Sequence, residues 1–180
     1  MATLNLTRIP NLCPQSFGDV LQLCLNQPMT PNHIGGVYGI SGQDLWSGFY
    51  QSAQQAGRAH QLEGRYFVLK LDEEDVRQLG PQLWQRLEKA ARELISFASD
   101  YPAVYAIHEN PAAPEIHILL SNIALSPGGY HLTNGAHYAY DGLIMNCMAE
   151  FILSDLCKKP VPVDCVRHIY DLSQARNSVR

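Results

Sequence analysis

Between Arg92 and Lys158 the chain carries no lysine or arginine at all. Seven acidic residues fall in or at the edge of that window: Glu93, Asp100, Glu109, Glu115, Asp141, Glu150 and Asp155. Phosphate backbones are normally gripped by Lys and Arg. A nucleic-acid contact within this stretch therefore needs a metal ion, or cations brought from elsewhere in the chain. The net charge of −4 points the same way. Cysteine is also scarce in useful patterns. Cys13, Cys24, Cys147, Cys157 and Cys165 are odd in number and include no CxxC pair. That spacing argues against a structural zinc site and against a disulfide framework. No run of about 18 apolar residues occurs, so no membrane span is expected. The opening MATLNLTRIPNLCPQ lacks the basic start and apolar core of a signal peptide, and a cytoplasmic location follows as the expectation.

What remains is a chain of 180 residues, 46% apolar and 17% charged, which fits one soluble globular unit with a real core. Residues 1–15 hold two prolines and read as an extended arm. Ser16 to Asn26 places Val20, Leu21, Cys24 and Leu25 on one helical stripe, with Ser16 as the N-cap. Val37 to Ile40 reads as a short strand, and Gly42 to Ala56 as a helix with Leu45, Phe49 and Ala53 in line. Arg65 to Leu71 alternates as a strand, and DEEDVRQLGP is a turn or short helix. Gln82 to Ala98 carries the clearest helical stripe. Two strands follow, 103–108 and 115–124, joined by a Pro-containing turn. Tyr130–Thr133 is a further short strand, and a last helix runs from Asp141 to about Asp155. After Lys158 a tail contains a short helix within VDCVRHIYDLSQA. The expected architecture is α+β: a two-layer sandwich with a mostly antiparallel sheet covered by helices. The expected division is an arm (1–15), a domain (16–157) and a tail (158–180).

The sharpest chemical signal lies in YPAVYAIHENPAAPEIHILLSNIALSPGGYH, residues 101–131. If its two apolar runs pair as a hairpin, period-two alternation puts Val104, Ala106 and His108 on one face. The same rule groups Glu115, His117, Leu119 and Ser121. His108, Glu115 and His117 then converge, and two imidazoles with one carboxylate suit a divalent cation such as Mn, Mg or Zn. The bland alternative is a pair of core-edge histidines satisfied by backbone or water, with Glu115 as a solvated strand end.

From about Asp19 to Asp155 the chain resembles the relaxase, or mobilisation nuclease, domain of the HUH endonuclease group. DVLQLCLNQPMT looks like the family's opening helix ending in Asn-Pro-x-Lys-Thr. GVYGISGQDLWSGFYQSAQQAGR is similar to its Gly-Ile-Asn-Cys segment and amphipathic helix. GRYFVLKLDEED sits at its His-containing strand and Pro-x-Glu turn. VYAIHENPAAPEIHILLSNIALSPGGYHLT resembles Ala-Val-His-Glu, then His-x-His, an apolar strand, Asn, and a Gly-Lys-x-Tyr-His turn.

The resemblance implies a divalent metal that polarises one phosphodiester of single-stranded DNA. It also implies a tyrosine that attacks that bond to form a covalent 5′-phosphotyrosine. His108 matches the first ligand and His117 the last, while Glu115 stands in for the first histidine of the His-x-His pair. The family tyrosine falls on Leu23, which cannot attack. Met29 replaces the lysine of Lys-Thr, Tyr66 or Phe67 occupies a histidine position, and Gly128-Gly129 replaces Gly-Lys. Three functions stay open on this reading. One is a relaxase-like domain of a plasmid or other mobile element, working in mobilisation or conjugation, that has lost strand transfer. The second is a working metal-dependent nuclease that uses Tyr38, Tyr50 or an activated water. The third is a non-enzymatic interaction domain that forms a homo-oligomer or binds a mobilisation partner protein. The packing reading of Tyr38 and Tyr50 is that each is half-buried with a wetted hydroxyl.

Overall fold

The computed structural model describes residues 3–9, 12–25, 34–36, 45–97, 101–110, 112–123, 156 and 168–169. In chain order these form β1 (Thr3–Ile9), α1 (Pro14–Leu25), β2 (Ile34–Gly36), α2 (Leu45–Gln55), β3 (Gly64–Lys70), α3 (Glu73–Leu79), α4 (Leu83–Phe97), β4 (Ala103–His108), β5 (Glu115–Ser121) and β6 (His168–Ile169). The strands make one sheet in the order β2-β4-β5-β3-β1-β6. Every neighbouring pair is antiparallel except β1 with β6. The α+β class and the antiparallel hairpin follow the sequence reading.

Three expectations need correction. The first concerns the arm. Residues 3–9 form a full strand, paired with β3 from Thr3↔Lys70 to Ile9↔Gly64. TLNLTRI alternates, and it buries Leu4 on one face of the sheet and Ile9 on the other. The second concerns the tail, where His168 and Ile169 extend beside Thr7 and Arg8 as a parallel edge strand, not a helix. The third concerns the layers. Helices cover both faces of the sheet, not one. Ala103, Tyr105 and Ile107 pack with α3 and α4, whereas Val104 and Ala106 pack with α1 and α2. All six residues of β4 are buried. Such a strand has no polar side to leave in water, so each face requires its own helical cover.

Local chemistry explains the helix boundaries. α1 begins at Pro14, two residues earlier than expected, because proline at the first helical position loses no needed N–H. Ser16 then lies inside the first turn. Its hydroxyl accepts from the Cys13 N–H at 2.9 Å and donates to the Cys13 carbonyl at 3.1 Å. α3 is capped by Asp72, whose carboxylate accepts from the Asp75 N–H at 2.9 Å. Gly80 ends α3 at a φ of +52°, a backbone state that a side chain would strain. α4 buries Leu83, Leu87, Ala90, Ala91, Leu94 and Ile95 on one stripe.

Two devices fix the central strands. At one end of β5, Asn122 is fully buried. Its side-chain carbonyl accepts from the Glu63 N–H at 2.7 Å, and its amide donates to the Gln61 carbonyl at 3.0 Å. At the other end, the turn between β4 and β5 is closed by Asn110. Its side chain accepts from the Ala112 N–H and its carbonyl from the Ala113 N–H, both at 3.1 Å. The Leu71 N–H also donates to the Pro114 carbonyl, which ties this turn to the end of β3. The expected strands 37–40 and 130–133 and the helix 141–155 lie outside the described residues.

Candidate metal centre

The register of the sheet assembles the site. β4 and β5 pair His108↔Glu115, Ala106↔His117 and Val104↔Leu119. β3 adds Lys70↔Glu115, Val68↔His117 and Tyr66↔Leu119. Paired residues share a face, so His108, Glu115, His117, Tyr66 and Lys70 all project from the α1/α2 side of the sheet. They gather toward the end where β4 turns into β5. The alternation expected from the sequence is the one found.

The ligand atoms are close. One nitrogen from each histidine and one oxygen of Glu115 all lie within 4.8 Å of one another, an arrangement that could hold a metal ion. His117 Nε2 is 3.1 Å from Glu115 Oε2, and His108 Nδ1 is 3.8 Å from the same oxygen. The two imidazole rings are 3.9 Å apart between centroids. Both histidines are buried at 6% exposure, so this is no solvated cluster of surface polar groups.

Electrostatics prepare the donors for a cation. Burial, reinforced by the neighbouring His108, pushes His117 down to about 4, so its ring is neutral at physiological pH. Burial alone would raise Glu115. The Lys70 ammonium, 2.8 Å from Oε1, and the adjoining His117 together outweigh burial and hold the carboxyl below its ordinary value. A neutral imidazole beside an ionised carboxylate is the protonation state that metal coordination requires.

Hydrogen bonding fixes the orientation of His117. An ionised carboxylate can only accept, so Nε2–H donates to Glu115. Nδ1 then accepts from the Tyr66 hydroxyl at 2.5 Å. If Nε2 turns its lone pair to a cation, the proton moves to Nδ1 and Tyr66 becomes the acceptor. A phenol hydroxyl serves both tautomers, which suits it to support a ligand from behind.

Tyr66 and Lys70 were not assigned to the site from the sequence. Both sit on alternate positions of β3, and the signal would have been that alternation combined with the β3–β5 pairing. The pairing joins residues about fifty positions apart and leaves no local trace. Lys70 also corrects the charge argument: the site is acidic in its own stretch of sequence, yet the sheet delivers a cation to it. Tyr50, offered as a nucleophile, does not join the cluster. It is exposed on α2, where it stacks on Trp46 with ring centroids 5.5 Å apart. Tyr38 lies outside the described residues, and Leu23 falls on α1. Among the described residues no helix is long and apolar enough to cross a membrane.

No family model matches this chain, nor does any curated protein or solved structure.

Proposed function

We propose that this chain is a relaxase-type domain that binds one divalent ion, Mn, Mg or Zn, through His108, Glu115 and His117. On this reading it grips a phosphodiester of single-stranded DNA beside that ion and no longer carries out strand transfer. The observation that supports it best is the convergence of two imidazoles and one carboxylate from adjacent central strands, within 4.8 Å. Among the described residues three ligands meet, which leaves coordination positions for a substrate.

When bound, the ion supplies Lewis acidity toward a non-bridging phosphate oxygen. The chain's own residues do the rest. Glu115 contributes the anionic donor, the buried His108 and His117 contribute the nitrogen donors, and Tyr66 holds the His117 ring. The missing part is the attacking phenol. Leu23 stands where the family resemblance puts it, and an alkyl group cannot open a phosphodiester. A binding or accessory role in the mobilisation of cytoplasmic plasmid or mobile-element DNA fits that loss.

The test is a calorimetric titration with Mn, followed by fluorescence anisotropy with a labelled single-stranded oligonucleotide. The native chain should bind one Mn, and His117→Ala and Glu115→Gln should lose it by about a hundredfold or more. Oligonucleotide binding should require Mn, and denaturing gels should show no covalent 5′ adduct. Absence of Mn binding by the native chain would sink the proposal. A covalent adduct or a nick would restore a working nuclease that uses Tyr38, Tyr50 or water. A dimer that forms without DNA and ignores the oligonucleotide would favour the interaction domain.

A further inference from the structure

We infer that Lys70 is the oxyanion-binding group of this centre, and that the ligand it takes is a phosphoryl group held beside the metal. The inference rests on the metal reading above and deepens it. Glu115 presents its two oxygens to different partners. Oε1 faces the Lys70 ammonium at 2.8 Å, while Oε2 faces His117 at 3.1 Å and His108 at 3.8 Å. The corner where a cation fits is thus on one side of the carboxylate and Lys70 on the other. Neither has to leave for the other to stay.

Charge balance then selects the ligand. Without metal, the Glu115 carboxylate and the Lys70 ammonium cancel. With a divalent ion the same cluster carries two positive charges in excess. Glu115, the one carboxylate of the cluster among the described residues, is divided between two cations. Both are short of negative charge, and an anion with oxygens to spare can satisfy both at once. Phosphate and its esters have that form, and a lysine ammonium is an effective point charge for them. Lys70 is well placed for such an approach, since its side chain is 52% exposed while the histidines are buried. The other basic residue of β3, Arg65, points to the opposite face, where it is fully buried and paired with Glu63 at 3.2 Å.

The experiment compares native protein, Lys70→Gln and Lys70→Arg. Mn affinity is measured first by calorimetry. Inorganic phosphate and a short thymidine oligonucleotide are then titrated separately into Mn-loaded protein. Lys70→Gln should bind Mn at least as tightly as the native chain, because a competing cation has been removed. It should bind phosphate about tenfold more weakly or worse. Lys70→Arg should recover most of the phosphate affinity. The oligonucleotide should show the same ranking if the natural ligand is a diester, and no binding if it is a free or terminal phosphate. Equal phosphate affinity in native and Lys70→Gln protein would overturn the inference. So would a loss of Mn binding in Lys70→Gln as large as in Glu115→Gln, since Lys70 would then only position the carboxylate. If the native chain fails to bind Mn, the metal reading itself falls, at the first step and separately from the role of Lys70.

Discussion

The two faces of the central sheet are built for different ends. On the α3/α4 side, Phe67, Leu69, Tyr105, Ile107, Ile116 and Ile118 meet Leu87, Ala91 and Leu94 in one continuous apolar layer. On the α1/α2 side the apolar layer formed by the described residues gathers around Phe17, Phe49, Ala53, Val104 and Leu119. The same face carries Lys70, His108, Glu115 and His117, with Tyr66 packed against that layer. One face supplies the burial that makes the fold stable. The other gives up some burial for polar groups that are costly to desolvate. Stability and chemistry are thus separable by side of the sheet, although alternate residues of the same strands serve both.

That separation can be broken first through Leu87, which is fully buried on the stable face. Leu87→Ala should cost about 2–5 kcal/mol in urea unfolding, while the protein that remains folded keeps native Mn affinity. A loss of Mn affinity in folded Leu87→Ala would show the two faces to be coupled.

Acidification should strike the polar face next. His117 titrates near 4 in the fold against an ordinary 6.5. Between those values the unfolded chain binds the proton that the folded chain refuses. Stability therefore falls as pH drops through that window, by as much as about 3 kcal/mol, and levels off below it. Glu115 adds to the loss at lower pH. Its folded value is depressed, so its contribution is present above the ordinary carboxylate value and disappears as pH falls through the folded one. Unfolding curves at pH 7.5, 6 and 4.5 measure this. His117→Gln should flatten the upper part of the window, and an unchanged slope would mean the ring is not held neutral.

Tyr66 sharpens the comparison at smaller amplitude. Tyr66→Phe leaves His117 Nδ1 without its hydroxyl partner and should weaken Mn binding about 10- to 100-fold, with little change in melting temperature. Unaltered Mn affinity would make the hydroxyl a packing detail. The smallest effect belongs to the solvent side of α4. The Lys89–Glu93 pair, at 3.5 Å and largely exposed, should contribute under about 0.5 kcal/mol. Lys89→Ala should move neither stability nor Mn binding measurably.

Local periodicity made much of this legible. The stripe of α4 and the alternation of β4 and β5 each lie within a few consecutive residues, and they were enough to bring His108, Glu115 and His117 together. The run AVYAI carries a further signal. A strand with no polar alternation is one that will be covered on both faces, which is why two layers became three. The remainder depended on partners distant in sequence. β1 was obscured by Pro10 and Pro14 nearby, although its own TLNLTRI alternates. The two residues of β6 become a strand only beside Thr7 and Arg8. Tyr66 and Lys70 enter the site only through a pairing across some fifty residues, and no window along the chain contains it.

The Asn110 turn has a consequence beyond closing a hairpin. Slipping β5 by one place against β4 preserves length, composition and almost every backbone bond, yet it rotates each side chain through the sheet. His117 would then be driven in among the leucines of α4, and Ile116 and Ile118 would occupy the polar pocket. A single inserted residue among positions 109–114 is therefore a more radical change than most point substitutions in the strands, because it would exchange the polar and apolar faces of β5.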